Sequence, residues 1–105
     1  MSIKVRERDV ESYLVSHLEA IGIQCVKFSP EHRNGMPDRL ILLPDQRCIW
    51  AELKTDTGRH EELQKYQRRK LEQSGQRVEV IWTKKDADAL INEIKQDIKK
   101  TSTNP

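Results

Sequence analysis

The apolar run Leu40-Ile41-Leu42-Leu43, the polar turn Pro44-Asp45-Gln46-Arg47 and the alternating stretch Cys48 to Lys54 constrain this chain most. An apolar run of that length suits a central strand buried on both faces. The four polar residues after it are turn formers. Period-two alternation over the next stretch puts Trp50, Glu52 and Lys54 on one face, with Ala51 and Leu53 on the other. The segment therefore reads as a hairpin. It carries Asp38, at the start of its first strand, toward Glu52 and Lys54 at the end of its second. Two carboxylates and an ammonium at one point can hold a divalent cation and a water against a phosphate.

The flanking segments supply the remaining layers. Val10, Tyr13, Leu14, His17, Leu18 and Ile21 recur at helical spacing, which predicts a helix over 7–21 that stops at Gly22. Glu11 lies beside that apolar stripe. Residues 23–28 read as a short strand and 29–37 as a loop. A second helix is expected over 61–73, with Leu63, Tyr66, Gln67 and Leu71 near one face, and a fourth strand over 78–82. Thr83 with Asp86 three residues later approximates a capping box, opening a third helix over 84–99. The expected order is α-β-β-β-α-β-α, and the strand–helix–strand segment at 48–82 implies a parallel crossover within a mixed sheet.

The chain has 105 residues and a net charge of +2, so one small domain is expected and bulk charge does not argue for a polyanion partner. Residues 1–100 are read as that domain and 101–105 as a disordered polar tail. Cys25 and Cys48 have no metal-knuckle spacing and are expected as buried free thiols in a reducing compartment. No signal sequence or membrane span is visible, so a cytoplasmic location and no membrane partner are expected.

Several stretches together resemble a family. They are Asp9-Val10-Glu11 with Tyr13-Leu14, Gly35-Met36-Pro37-Asp38-Arg39, Glu52-Leu53-Lys54, Gly58-Arg59, Leu63-Gln64-Lys65-Tyr66, and Gly75 before Val78-Glu79-Val80. In order and at close-fitting intervals over roughly 7–91, they resemble the virus-type replication-repair nuclease (VRR_NUC) domain, a branch of the PD-(D/E)xK superfamily. The chain looks like a stand-alone version of that domain, similar to proteins of phage and prophage origin. For a phage-encoded protein, the location would be the bacterial host's cytoplasm. The resemblance implies a restriction-endonuclease-like α/β core, α-β-β-β-α-β with an extra C-terminal helix, its mixed central sheet flanked by helices.

The resemblance also implies roles. Glu11, Asp38 and Glu52 would ligate metal, with the Leu53 backbone carbonyl beside them. Lys54 would position or activate the attacking water, and Gln64 would be the site glutamine, with Gln67 one turn later as its rival. Hard oxygen donors suit Mg²⁺ or Mn²⁺, and no small-molecule cofactor beyond the metal is expected. Arg33, Arg39, Lys65, Arg68 and Arg69 would neutralise flanking phosphates. No helix-turn-helix or zinc-finger pattern is visible, so structure-selective recognition of DNA is expected over sequence-specific recognition. The resemblance implies branched DNA, four-way junctions or flaps, as the substrate class, and a stand-alone domain acting on a two-fold junction is expected as a homodimer. The competing readings are a non-catalytic DNA-binding or assembly module on the same fold, a sequence-specific restriction-like endonuclease, and a helix-rich adaptor in which the four residues are scattered.

Overall fold

The structure, a computed structural model, describes residues 7–28, 35–54 and 61–102. Arg33, the Gly58-Arg59 match, most of the loop expected at 29–37 and the last three residues of the expected tail lie outside the described residues.

Helix α1 (Glu7–Ala20) buries Val10, Leu14 and Leu18, four residues apart along one face. Its end is a Schellman turn: Ile23 N–H donates to the Leu18 carbonyl at 2.9 Å and Gly22 N–H to that of Glu19 at 3.0 Å. The chain then enters β1 (Gln24–Lys27), β2 (Arg39–Leu42) and β3 (Cys48–Leu53). Helix α2 (Glu61–Gln73), β4 (Arg77–Ile81) and α3 (Lys84–Ser102) follow. The last helix thus continues two residues into the segment expected as tail. Thr83 and Asp86 form the expected box at its start: Asp86 N–H donates to Thr83 Oγ1 at 3.1 Å, and Thr83 N–H to Asp86 Oδ2 at 3.2 Å.

The sheet runs β1-β2-β3-β4. The first three strands pair antiparallel and β3 pairs parallel with β4, which makes the mixed sheet that a strand–helix–strand crossover requires. One face carries Cys25, Ile41, Ile49, Ala51, Leu53 and Ile81, buried with Val10, Leu14 and Leu18 of α1 and Ala87, Leu90, Ile91 and Ile94 of α3. The Tyr13 hydroxyl, hydrogen-bonded to Asp88, ties those two helices together.

The opposite face departs from expectation. Ile41 is fully buried, but Leu42 is 39% exposed, so β2 is not covered on both sides. The reason is dimensional. A single helix of 13 residues is about one strand pair wide, and α2 packs on β4, so that among the described residues no helix covers the β1–β2 half of this face. The docking side of α2 also differs from the apolar stripe expected for it. Leu63 and Tyr66 are exposed, while Gln64, Gln67, Arg68 and Leu71 are half-buried. A helix seated over charged groups turns its polar side inward. Cys25 is buried and its thiol is pushed up to about 11 by that burial, whereas Cys48 is only half-buried.

Candidate active site

The hairpin builds the site. Arg39 pairs with Ala51 and Leu40 with Trp50, and continuing that register places Asp38 across from Glu52. The backbone at Asp38 is held on both sides: its N–H donates to the Ala51 carbonyl at 3.1 Å, and its carbonyl accepts from Phe28 N–H at 2.8 Å. Asp38 Oδ2 accepts from the Leu53 N–H at 2.8 Å. The side chain is thereby aimed across the strand end rather than left to the loop. Burial pushes the Asp38 carboxyl above the ordinary range, the Leu53 hydrogen bond works against that shift, and the neighbouring Glu11 adds to it.

Glu52 is 1% exposed and Lys54 is 7% exposed. A buried carboxylate needs partners. Arg68 of α2 donates to Glu52 Oε2 at 3.0 Å, and the Lys54 ammonium stands 3.8 Å from the same oxygen. Glu52 Oε1 is buried and accepts no hydrogen bond. Desolvation raises the Glu52 carboxyl, Arg68 and then Lys54 oppose that rise, and Asp38 contributes to it. The Lys54 N–H donates to the Ile81 carbonyl at 2.9 Å, carrying the β3–β4 ladder one residue past the end of β3.

Glu11 reaches the same end of the sheet from α1. Its Oε2 accepts from Arg39 Nε at 2.7 Å, while Arg39 also donates to the Cys25 carbonyl at 3.0 Å. Arg39, expected to face a phosphate backbone, is here ion-paired with Glu11. Arg68 likewise faces Glu52 rather than solvent. Lys65 is half-buried and Arg69 exposed on α2. Gln64 and Gln67 are both half-buried on α2, Gln64 one turn before Arg68 and Gln67 beside it.

Sequence reading missed Glu7 and the reason for Gly35. Glu7 lies one helical turn before Glu11, and its carboxyl is raised by partial burial and then by Asp38, Glu11 and Glu52. It belongs to the same acidic field, and the i, i+4 spacing from Glu11 was the available signal. The φ of Gly35 is +84°, and a Cβ there would lie 2.8 Å from the backbone C and O of Leu63. The loop before Asp38 is thus pressed directly on the backbone of α2, the helix that brings Arg68 to Glu52.

The donor set suits a hard divalent cation. It is all oxygen, and Glu52 Oε1 is a buried acceptor with no hydrogen-bond partner. Among the described residues, no three His, Cys, Asp or Glu side chains stand close enough together to hold a metal ion. Glu11 is ion-paired with Arg39, and Glu52 with Arg68.

No family model matches the sequence. A protein of Acyrthosiphon pisum secondary endosymbiont phage 1, titled "Putative nuclease p44", is 42% identical over 50 residues, which are 48% of this chain and 54% of that protein. The chain thus spans about half the length of the curated relative it matches. A solved structure titled "VRR_NUC domain" superposes with a TM-score of 0.73 and 30% identity, covering 82% of this chain and 94% of that one. Nearly all of that domain is matched in sequence and in fold by a chain that sets Asp38 across from Glu52 and Lys54, and the chain belongs to the VRR_NUC nuclease family.

Proposed function

We propose that this protein is a divalent-metal-dependent endonuclease that hydrolyses DNA phosphodiester bonds by structure, on branched DNA such as four-way junctions or flaps. The observation that carries this reading is Glu52: a carboxylate 1% exposed, with Oε1 unpartnered, opposite Asp38 and 3.8 Å from the Lys54 ammonium. Such an arrangement is costly as pure architecture and sensible as a receptor for positive charge. The nuclease title of the phage relative supports it.

Glu11, Asp38 and Glu52, with the Leu53 carbonyl, would hold Mg²⁺ or Mn²⁺. The metal supplies Lewis acidity toward the phosphoryl oxygen and the attacking water. Lys54 places a positive charge where negative charge grows on the phosphate. Gln64, on α2 one turn before Arg68, would orient the phosphate or water. Arg68 and Arg39 hold Glu52 and Glu11 in place, and Lys65 and Arg69 meet flanking phosphates. A two-fold junction needs two nicks, which fits a homodimer carrying one site per copy.

The test is cleavage of labelled four-way junction, flap, single-stranded and linear duplex DNA in Mg²⁺, Mn²⁺ or EDTA, beside Asp38→Asn. Thermal melting with and without Mn²⁺ accompanies it, as does light scattering at working concentration. Metal-dependent nicking of branched DNA, absent in the variant, and a metal-induced rise in Tm confined to the wild type are expected. Binding without turnover under every metal would replace this reading with the non-catalytic module. A single species of monomer mass would remove the dimer.

A further inference from the structure

Trp82 stands where the chemistry proposed above would be done. It follows β4 directly, and strand alternation places Val78, Val80 and Trp82 on the sheet face that carries Trp50, Glu52 and Lys54. Its backbone N–H is pinned by Asp86 Oδ2 at 3.0 Å, inside the cap of α3. The Lys54 ammonium lies 5.3 Å from the centroid of its ring, a cation–π contact. Yet the residue is 46% exposed. An indole is a large apolar surface, and a scattered exposed residue on a sheet face needs no explanation. This one has a fixed backbone and touches a buried lysine that stands against a buried carboxylate.

We infer that Trp82 is a stacking platform for an unpaired nucleobase adjoining the scissile phosphate. This role for Trp82 presupposes the nuclease reading of the same acids and lysine. A phosphate drawn to the Lys54 ammonium brings the base of an adjoining nucleotide within reach of the indole. A base inside a duplex is already paired and stacked on both faces and turns onto the ring only at the cost of unstacking and unpairing. A base at a flap, gap or junction point is spared the unpairing, and stacking on an aromatic face is tolerant of base identity. Trp82 thereby selects DNA with an unpaired nucleotide at the cleavage point, without reading sequence.

Two measurements test this on the intact protein, with Trp82→Phe and Trp82→Ala. The first follows tryptophan emission in EDTA on titration with oligothymidylate or a blunt duplex, with binding monitored independently by anisotropy of a labelled strand. The chain has two tryptophans, so Trp82→Phe isolates the signal of Trp50. Quenching by the single strand that is lost in Trp82→Phe is expected. Equal quenching in both proteins, bound strand without quenching, or no binding of the single strand would overturn the inference. The second compares KM and kcat on a flap and on a fully paired duplex in Mn²⁺. Trp82→Ala is expected to raise the flap-to-duplex KM ratio about ten-fold, with Trp82→Phe restoring most of it. An equal fall of kcat on both substrates with an unchanged KM ratio would reduce Trp82 to a support for Lys54 and overturn the inference. Trp82-dependent quenching by a wild type that cleaves no DNA would leave the stacking site standing and remove the nuclease reading.

Discussion

Replacing Gly35 with alanine should damage this protein more than the same change at any other described glycine. Two costs add at that position. Its φ of +84° is a left-handed conformation that costs an L-residue about 1–2 kcal/mol. The new Cβ would also lie 2.8 Å from the Leu63 backbone C and O, short of the 3.4 Å at which ordinary contact begins. A backbone cannot swing aside as a side chain can, so α2 must retreat by roughly half an ångström, and overpacking of this kind costs about 1–3 kcal/mol more. The expected loss is therefore about 2–5 kcal/mol, out of the roughly 5–15 kcal/mol that holds a domain together. Gly75 is the internal control. It has the same φ of +84° at the end of α2, with nothing within 4 Å of a Cβ, so Gly75→Ala should cost only the backbone share, about 1–2 kcal/mol. Urea unfolding of the two variants, compared at equal m-value, gives the clash by difference. The retreat of α2 would also draw Arg68 away from Glu52, so Gly35→Ala should lose turnover beyond its loss of folded protein. If Gly35→Ala cost no more than Gly75→Ala, the close approach of the Asp38 loop to α2 would be refuted.

Three further outcomes are expected. Lys54→Ala should keep the metal-induced rise in Tm while lowering kcat by about 10²–10³-fold, the scale of one lost electrostatic stabiliser; unchanged cleavage would remove Lys54 from the chemistry. Arg68→Ala should destabilise the metal-free protein by about 1–2 kcal/mol, because it strips the closest cation from a buried carboxylate. If unfolding were unaffected and only the salt dependence of DNA binding fell, Arg68 would be a phosphate contact instead. Far from the site, Arg77 donates to both oxygens of Glu93, at 2.6 and 2.8 Å, and holds its carboxyl below the ordinary value. A depressed carboxyl contributes stability above its unfolded pKa and loses it as pH falls through the folded one. Glu93→Gln should therefore be less stable than wild type at neutral pH and converge with it in acid. Both side chains are more than a third exposed, so the gap should be no more than about 0.5 kcal/mol. Stability curves that stay parallel from neutral to acid pH would show that the pair contributes nothing.

The elements were readable because their causes are local. Val10, Leu14 and Leu18 at four-residue spacing, the turn at 44–47, the alternation in β3 and the Thr83–Asp86 box each act within a few residues, and each appears where its pattern lies. The hairpin that sets Asp38 across from Glu52 was legible for the same reason, since a short turn leaves two strands one register. The coverage of the sheet was not. Leu40 to Leu43 reads as doubly buried, but whether α2 covers β2 or β4 depends on where a helix of limited width comes to rest.

The site divides along the same line. The residue types that would do the chemistry, Glu11, Asp38, Glu52 and Lys54, are legible in the order and spacing of their motifs. The pairing among charges is not, because a cation on the surface of an isolated helix has no preferred acid. Only the packing of α2 against β4 assigns Arg68 to Glu52, only the seat of α1 gives Arg39 to Glu11, and only the path out of β4 sets Trp82 beside Lys54. Sequence by itself determined the strands, the helices and the chemistry available at one end of the sheet. Tertiary structure decided which charges are buried, which partner holds each of them, and which aromatic ring stays open to solvent, since burial and Coulomb energy depend on distances that are set only when the layers meet.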